Sequence, residues 1–207
     1  MLVIFDCDGV LRSVSWGALY EAYLEICKFI NKNPSDFFQD FEDFRKWLNS
    51  DWQENLERMG ICRGSDTSEI NKLFHRVYDS QIHLFPWVGN VLGTLSAKHQ
   101  LAVLSGSSAN SVSKSLNGNA HFFKMIIGHE HVKNVKPHPE GVHLITEAFQ
   151  ADPSKTIIIG DSDADILAGK NAGIRTAGVT WGITPPEKMK SCDPDFLFEH
   201  HKELLLI

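Results

Sequence analysis

Residues 1–11 read MLVIFDCDGVL. An apolar, β-branched run from Leu2 to Phe5 delivers two aspartates, Asp6 and Asp8, with Gly9 directly behind them. Alternate side chains of an extended chain share a face, so Asp6 and Asp8 point the same way at the strand's carboxyl end while Cys7 turns aside. Two carboxylates held that close repel each other unless a cation or a shared proton relieves them. The competing reading is a surface turn, because Asp-Gly is a common turn dipeptide. At the mouth of a buried strand, however, such a pair points to chemistry.

The same strand grammar returns after one interruption. From Phe85-Pro86 onward, apolar runs at 101–104, 124–127, 156–159, 176–179 and 196–198 alternate with helical stretches near 88–98, 109–117, 139–150 and up to residue 172. Near-continuous apolar strands alternating with helices imply a parallel sheet covered on both faces. Residues 15–82 have a different texture. Leu19, Tyr23, Ile26, Cys27 and Ile30 recur at helical spacing, and further helices are predicted near 36–49, 51–59 and 67–80. The aromatics of this block, Trp16, Phe37, Phe38, Phe41, Phe44, Trp47 and Trp52, read as the packing between its helices. The predicted fold class is therefore α/β. A Rossmann-like three-layer parallel-sheet core, residues 1–14 and 83–207, is interrupted after its first strand by an α-helical cap, residues 15–82, with linkers near 12–16 and 80–87.

Composition narrows the function classes. A hydrophobic share of 43% and a charged share of 22% suit a globular chain of 207 residues. A net charge of -6 and a pI near 5.9 argue against nucleic acid or an anionic membrane as partner. Nothing approaches the roughly 18 apolar residues of a membrane span, and the opening run is too short for a secretion signal. Cys7, Cys27, Cys62 and Cys192 lack CxxC spacing and read as reduced thiols, two bridges being the alternative. The expected location is the cytoplasm.

In open parallel sheets, ligands bind outside the carboxyl ends of the strands. Four segments bring polar groups to that edge: Asp6 with Asp8, Ser105 with Gly106, Lys136, and Asp161 with Asp165. The run Gly160-Asp161-Ser162-Asp163-Ala164-Asp165 follows a buried strand and opens a helix. Helix capping accounts for one of its aspartates. It does not account for several carboxylates aimed at the edge where Asp6 stands. A hard cation does, and Mg²⁺ suits a few carboxylates together with water and a substrate oxygen. Ser105 and the amides after it form an anion site at a helix N-terminus, or else an ordinary N-cap. Lys136 is followed by Pro137, which disfavours helix at residue 136. A carboxylate nucleophile, a cation, a lysine and hydroxyl or amide donors together suit phosphoryl transfer.

On these residues the chain resembles the haloacid dehalogenase-like hydrolase superfamily, specifically subfamily I members with a helical cap of the phosphoglycolate-phosphatase-like kind. Asp6-Cys7-Asp8-Gly9-Val10-Leu11 is similar to the first motif, Ser105 to the second, Lys136-Pro137 to the third, and Gly160-Asp161-Ser162 with Asp165 to the fourth. The resemblance implies that Asp6 attacks phosphorus and that Asp8 acts as general acid and then general base. It implies Mg²⁺ held by Asp6, the backbone carbonyl of Asp8, Asp161 and Asp165, the last directly or through water. Ser105 and the Gly106 amide would take the phosphoryl group, and Lys136 would offset charge. Asp8 also favours phosphate esters over the halides and phosphonates handled by relatives with a non-acid at this position. Relatives often carry an Asp-Ser pair where this chain has Ser13-Val14, a departure that bears on substrate class rather than on chemistry.

The expected function is a Mg²⁺-dependent phosphatase acting on a small phosphorylated metabolite. Two alternatives stay open: a phosphomutase of the β-phosphoglucomutase type, and a catalytically idle binding protein on the same fold. Arg12, Trp16, Arg45, Lys46 and Trp52 could grip the remote end of a substrate, with solvated surface or cap packing the favoured reading of each. His129-Glu130-His131 and His138 read as a solvated loop rather than a second metal site.

Overall fold

The computed structural model describes residues 1–49 and 52–207, and residue 51, where the sequence places a helix start, lies outside them. The opening run forms β1 (Leu2–Phe5), buried along its whole length. Four helices follow: α1 (Trp16–Phe29), α2 (Phe41–Trp47), α3 (Trp52–Arg58) and α4 (Ser68–Tyr78). The chain then runs α5 (Val88–Ser96), β2 (Gln100–Leu104), α6 (Ala109–Ser115), β3 (Met125–Ile127) and α7 (Glu140–Ala148). It ends with β4 (Thr156–Gly160), α8 (Asp163–Asn171), β5 (Arg175–Val179), α9 (Pro186–Ser191) and β6 (Phe196–Phe198). Contacts divide it into two units, Met1–Val14 with His83–Ile207, and Ser15–Ile82.

In the first unit all six strands run parallel, in the order β3-β2-β1-β4-β5-β6. The fold is α/β and Rossmann-like. Strand β1 lies between β2 and β4, with Phe5 level with Val103 on one side and Ile159 on the other. From β1 the sheet grows one way through β2 and β3, then restarts on the other side with β4. That reversal opens a crevice at the carboxyl end of β1, where neighbouring connections depart in opposite directions. Asp6 is the first residue past β1, and its amide still donates to Ile159 O at 2.8 Å.

Period-two alternation sorts the core into two layers. Val3, Phe5, Leu101, Val103, Ile157 and Ile159 face one side with Val88, Leu92 and Leu95 of α5. Leu2, Ile4, Ala102, Leu104 and Ile158 face the other, with Val142 and Ile145 of α7 and Ala168 of α8. The two linker segments also pair within this unit. Ser13 N donates to His83 O at 2.8 Å, Phe85 N to Leu11 O at 3.1 Å, and Arg12 bridges to Leu84.

The Ser15–Ile82 unit has its own core of Tyr23, Ile26, Cys27, Phe38, Phe44, Leu56, Met59 and Ile70. The Tyr23 ring lies 5.4 Å from that of Phe44, 5.6 Å from Trp47 and 5.8 Å from Trp52, so aromatic packing unites the helices. The single helix expected near 36–49 is in fact a turn of 3₁₀ helix, Pro34–Asp36, followed by α2. Local capping divides it: Asn33 accepts from Ser35 N ahead of the first piece, and Asp40 accepts from Asp43 N ahead of the second. Among the described residues no helix is long and apolar enough to cross a membrane, and all four cysteines are free thiols.

Helix α8 lies close on the sheet, because a Cβ at Gly169 would overlap methyl groups of Ile158 and Thr176. Ala is ordinarily worth about 1 kcal/mol over Gly inside a helix. Here the overlap reverses that preference, since overpacking typically costs about 1–3 kcal/mol. Gly169→Ala is therefore expected to lower the urea midpoint, whereas a gain in stability would contradict this close packing.

Candidate active site

The crevice at the end of β1 gathers four side chains from three connections. Asp6 follows β1, Asp161 follows β4, Asp165 comes from the first turn of α8, and Lys136 comes from the loop between β3 and α7. Lys136 Nζ donates to Asp6 Oδ1 at 2.8 Å, to Asp165 Oδ1 at 2.5 Å and to Leu104 O at 3.0 Å. Asp165 is wholly buried, and its Oδ2 accepts from Ser162 N at 3.1 Å and Ser162 Oγ at 2.6 Å. It therefore serves two purposes: it caps α8 and anchors the lysine. One carboxylate oxygen from each of Asp6, Asp161 and Asp165 lies within 4.8 Å of the other two.

Burial and mutual repulsion dominate the electrostatics. Burial pushes the Asp6 carboxyl up to about 7, with Asp165 and Asp8 adding to the rise and Lys136 opposing it. Asp161 is also driven well above the usual carboxylate range, by burial first and then by Asp6 and Asp165. For Lys136 burial alone would lower the ammonium, but Asp165 and Asp6 outweigh it and raise the group, so it stays charged.

Backbone approach fixes the position of Asp161. Gly9 has φ +76°, a left-handed conformation that favours glycine, and a Cβ there would overlap the Asp161 carboxylate. On the other side Gly182 leaves the room that Asp161 needs, and Ile183 N donates to Asp161 Oδ2 at 2.7 Å. The loop after β5 is thus part of the site. The sequence held a signal for it in Trp181-Gly182 directly past a strand end, the same place where the other site residues were found.

Asp8 belongs to a separate cluster. Its carboxylate accepts from Arg12 Nε at 2.8 Å, Arg12 Nη2 at 3.1 Å and Ser107 Oγ at 2.8 Å, with Ser105 Oγ at 3.4 Å. Ser105 is buried after β2, and its Oγ accepts from Ser107 N at 3.0 Å. Gly106 is exposed at the crest of the same turn. Ser108, rather than Ser105, caps α6 by accepting from Ser111 N at 3.2 Å. The alternative of Ser105 as an ordinary N-cap is thereby removed.

Arg12 is corrected most by the structure. It is fully buried inside the first unit against Asp8, and so is neither solvated surface nor cap packing. Trp16, Arg45 and Trp52 do serve the helical unit: the Arg45 guanidinium lies 5.0 Å over the Trp16 ring, and Trp52 Nε1 donates to Asn71 Oδ1 at 3.0 Å. Lys46 is exposed on α2. The histidine run forms no metal cluster among the described residues. His131 Nδ1 accepts from Gly128 N at 3.1 Å, and Glu130 Oε1 accepts from Ala109 N at 2.9 Å.

The three-carboxylate cluster fits a hard divalent cation. Ligands of an ion bound at about 2.1 Å stand no more than about 4.2 Å apart, and these oxygens lie within 4.8 Å of one another. A shallow depression at the opposite edge of the sheet, lined by Met1, Gln100, Lys124 and Gln150 among others, has no such cluster.

Comparison with known proteins places the chain. The family model described as haloacid dehalogenase-like hydrolase matches residues 3–179, and the chain belongs to that family. It is accordingly an enzyme, a hydrolase. A pyrophosphatase PpaX from Listeria innocua is 38% identical over 213 residues, covering 99% of this chain and 94% of that protein. Two solved structures share the fold. A haloacid dehalogenase-like family hydrolase from Streptococcus pneumoniae superposes with a TM-score of 0.73 at 22% identity, over 99% of this chain and 96% of that one. A predicted phosphoglycolate phosphatase from Haemophilus somnus gives 0.75 at 24% identity, again over 99% and 96%.

The raised Asp6 carboxyl has a consequence for stability. A folded-state value above the unfolded one means that the charged form is disfavoured by folding, so stability is lost as pH climbs from the ordinary carboxylate range near 4 to about 7. In chelator, Asp6→Asn is expected to gain on the wild type in thermal melting as pH rises across that window. A difference between the two proteins that stays flat from pH 4 to 8 would refute the electrostatic account.

Proposed function

We propose that this hydrolase is a Mg²⁺-dependent phosphatase that hydrolyses a small phosphorylated metabolite through an aspartyl-phosphate intermediate. The observation that carries the reading is the buried Asp6 carboxylate, ion-paired to Lys136 and close to Asp161 and Asp165. Burial alone would favour the protonated acid, and it is the positive charge of Lys136 beside it that favours the carboxylate an attack on phosphorus needs.

Asp6, the Asp8 carbonyl, Asp161 and Asp165 are the assigned Mg²⁺ ligands, with Asp165 reaching the ion directly or through water. The ion, when bound, neutralises carboxylates and polarises a phosphoryl oxygen. An Asp6 oxygen attacks phosphorus, the bond from phosphorus to the leaving oxygen breaks, and Asp8 delivers its proton to that oxygen. Water then attacks the phosphoaspartate, gives a proton to Asp8, and releases phosphate and free Asp6. Ser105 Oγ and the Gly106 amide hold phosphoryl oxygens, while Lys136 offsets the charge that spreads over them. We assign the Ser15–Ile82 unit as the inserted cap and the cytoplasm as location. The name of the 38%-identical relative makes pyrophosphate the first substrate to test, ahead of phosphoglycolate-like esters.

Purified protein is expected to release phosphate from pyrophosphate or a small ester only when Mg²⁺ is supplied. Asp6→Asn should reduce turnover by at least about a thousandfold, as removal of a nucleophile does elsewhere. Acid-quenched wild-type enzyme should carry hydroxylamine-labile phosphate. Conversion of a sugar phosphate to its isomer without phosphate release would establish the mutase instead, and Mg²⁺ binding without turnover of any phosphorylated compound would establish the idle protein.

A further inference from the structure

Asp8 is held by a device that the four sequence motifs do not contain. Arg12 sits one turn beyond it, where the chain folds back on itself: Leu11 N and Arg12 N both donate to Cys7 O, at 2.9 and 3.1 Å, and Gly9 N donates to Arg12 O at 2.8 Å. That turn throws the Arg12 side chain back onto Asp8, with both ends of the guanidinium fork on the two carboxylate oxygens. The fork is secured on its far side, where Nη2 donates to Ser107 Oγ at 3.0 Å and Nη1 to Ser111 Oγ at 3.4 Å. Ser107 Oγ in turn donates to Asp8 Oδ2 at 2.8 Å, closing a ring of Arg12, Asp8 and Ser107.

The arginine side chain is only 1% exposed, against 22% for Asp8. Arg12 therefore cannot reach a substrate, whereas part of the Asp8 side chain remains open. A planar fork with two parallel donors fixes the plane as well as the position of a carboxylate, which an ammonium cannot do. Proton transfer in the transition state depends on that placement within fractions of an ångström.

We propose that Arg12, braced by Ser107 and Ser111, is the positioning residue that sets the plane of the Asp8 carboxyl for proton transfer. The proposal rests on the phosphatase reading and deepens it. The contribution falls on one step: it matters where the leaving oxygen needs a proton and hardly at all where it leaves as a stable anion. Nitrophenolate leaves unaided, and an alkoxide does not.

The test compares kcat/KM, which reports events up to formation of the phosphoenzyme, for p-nitrophenyl phosphate and glycerol 1-phosphate. Arg12→Lys keeps the charge and loses the fork, Arg12→Met loses both, and Ser107→Ala removes one brace while leaving the ion pair. The ratio of nitrophenyl to alkyl kcat/KM is expected to rise about tenfold or more in both Arg12 variants, a part of the roughly 10²- to 10⁴-fold that general acid catalysis supplies, and by a smaller factor in Ser107→Ala. A merely structural role would lower both esters by one common factor. Should Arg12→Met fail to fold, Arg12→Lys and Ser107→Ala still carry the comparison. Equal losses on both esters, or no loss in Arg12→Lys, would overturn the assignment while leaving the phosphatase reading intact. Wild-type protein that hydrolyses neither of these esters nor pyrophosphate with Mg²⁺ present, or whose turnover survives in Asp6→Asn, would overturn the reading and the assignment with it.

Discussion

Three buried carboxylates within 4.8 Å of one another, with one lysine among them, are the constraint around which this core is organised. Taken alone the arrangement is destabilising, because charges withdrawn from water gain from each other only when opposite. The surrounding backbone holds it in place nonetheless. Strands β1 and β4 are parallel neighbours with Phe5 level with Ile159, so Asp6 and Asp161 leave adjacent strand ends within one residue of the same level. Gly9 and Gly182 leave the space that the Asp161 side chain occupies, and Ile183 N fixes one of its oxygens. Hydrophobic layers on both faces of the sheet supply the stability that lets such a cluster persist. Local electrostatic cost set into a rigid scaffold is the usual physical mark of a functional site.

Much of this was legible in the sequence because its signals are local. The apolar runs around Val3, Val103 and Ile158 identify strands, and the polar residue that ends each run lies at the carboxyl edge once the strands are parallel. The helical block 15–82 was equally legible from its periodicity and aromatic content. Element ends were less so. The stretch 36–49 reads as one helix because Phe37, Phe38, Phe41 and Phe44 fall at helical spacing, yet Asn33 and Asp40 cap two separate segments. Helix α9 went unread: six residues are too few to show a period, and its signal is only Pro186 at the first helical position.

Arg12 escaped for a different reason. An arginine just past an Asp-Gly turn has no local feature that separates a solvated side chain from one folded back into the protein. What buries it is long-range: Ser107 and Ser111, nearly a hundred residues away, supply the surfaces it lies on. Side chains whose roles depend on non-local partners are the class that pattern reading misses, and Ile183 is another. Its contribution is a backbone amide, which carries no side-chain signature at all.

The two ion pairs divide the charges of the crevice between two tasks. Asp8 is paired by Arg12. That leaves Asp6, Asp161 and Asp165 against Lys136, three negative groups and one positive when all are ionised. The remainder of two negative charges is what one divalent cation neutralises. Were Arg12 absent and Asp8 ionised, the remainder would be three, one more than a single divalent ion neutralises. Were Lys136 to pair with Asp8 instead, Asp6 would lose its 2.8 Å ion pair. Separate cations, Lys136 for Asp6 and Arg12 for Asp8, thus give two acids one residue apart different electrostatic surroundings on a single strand end.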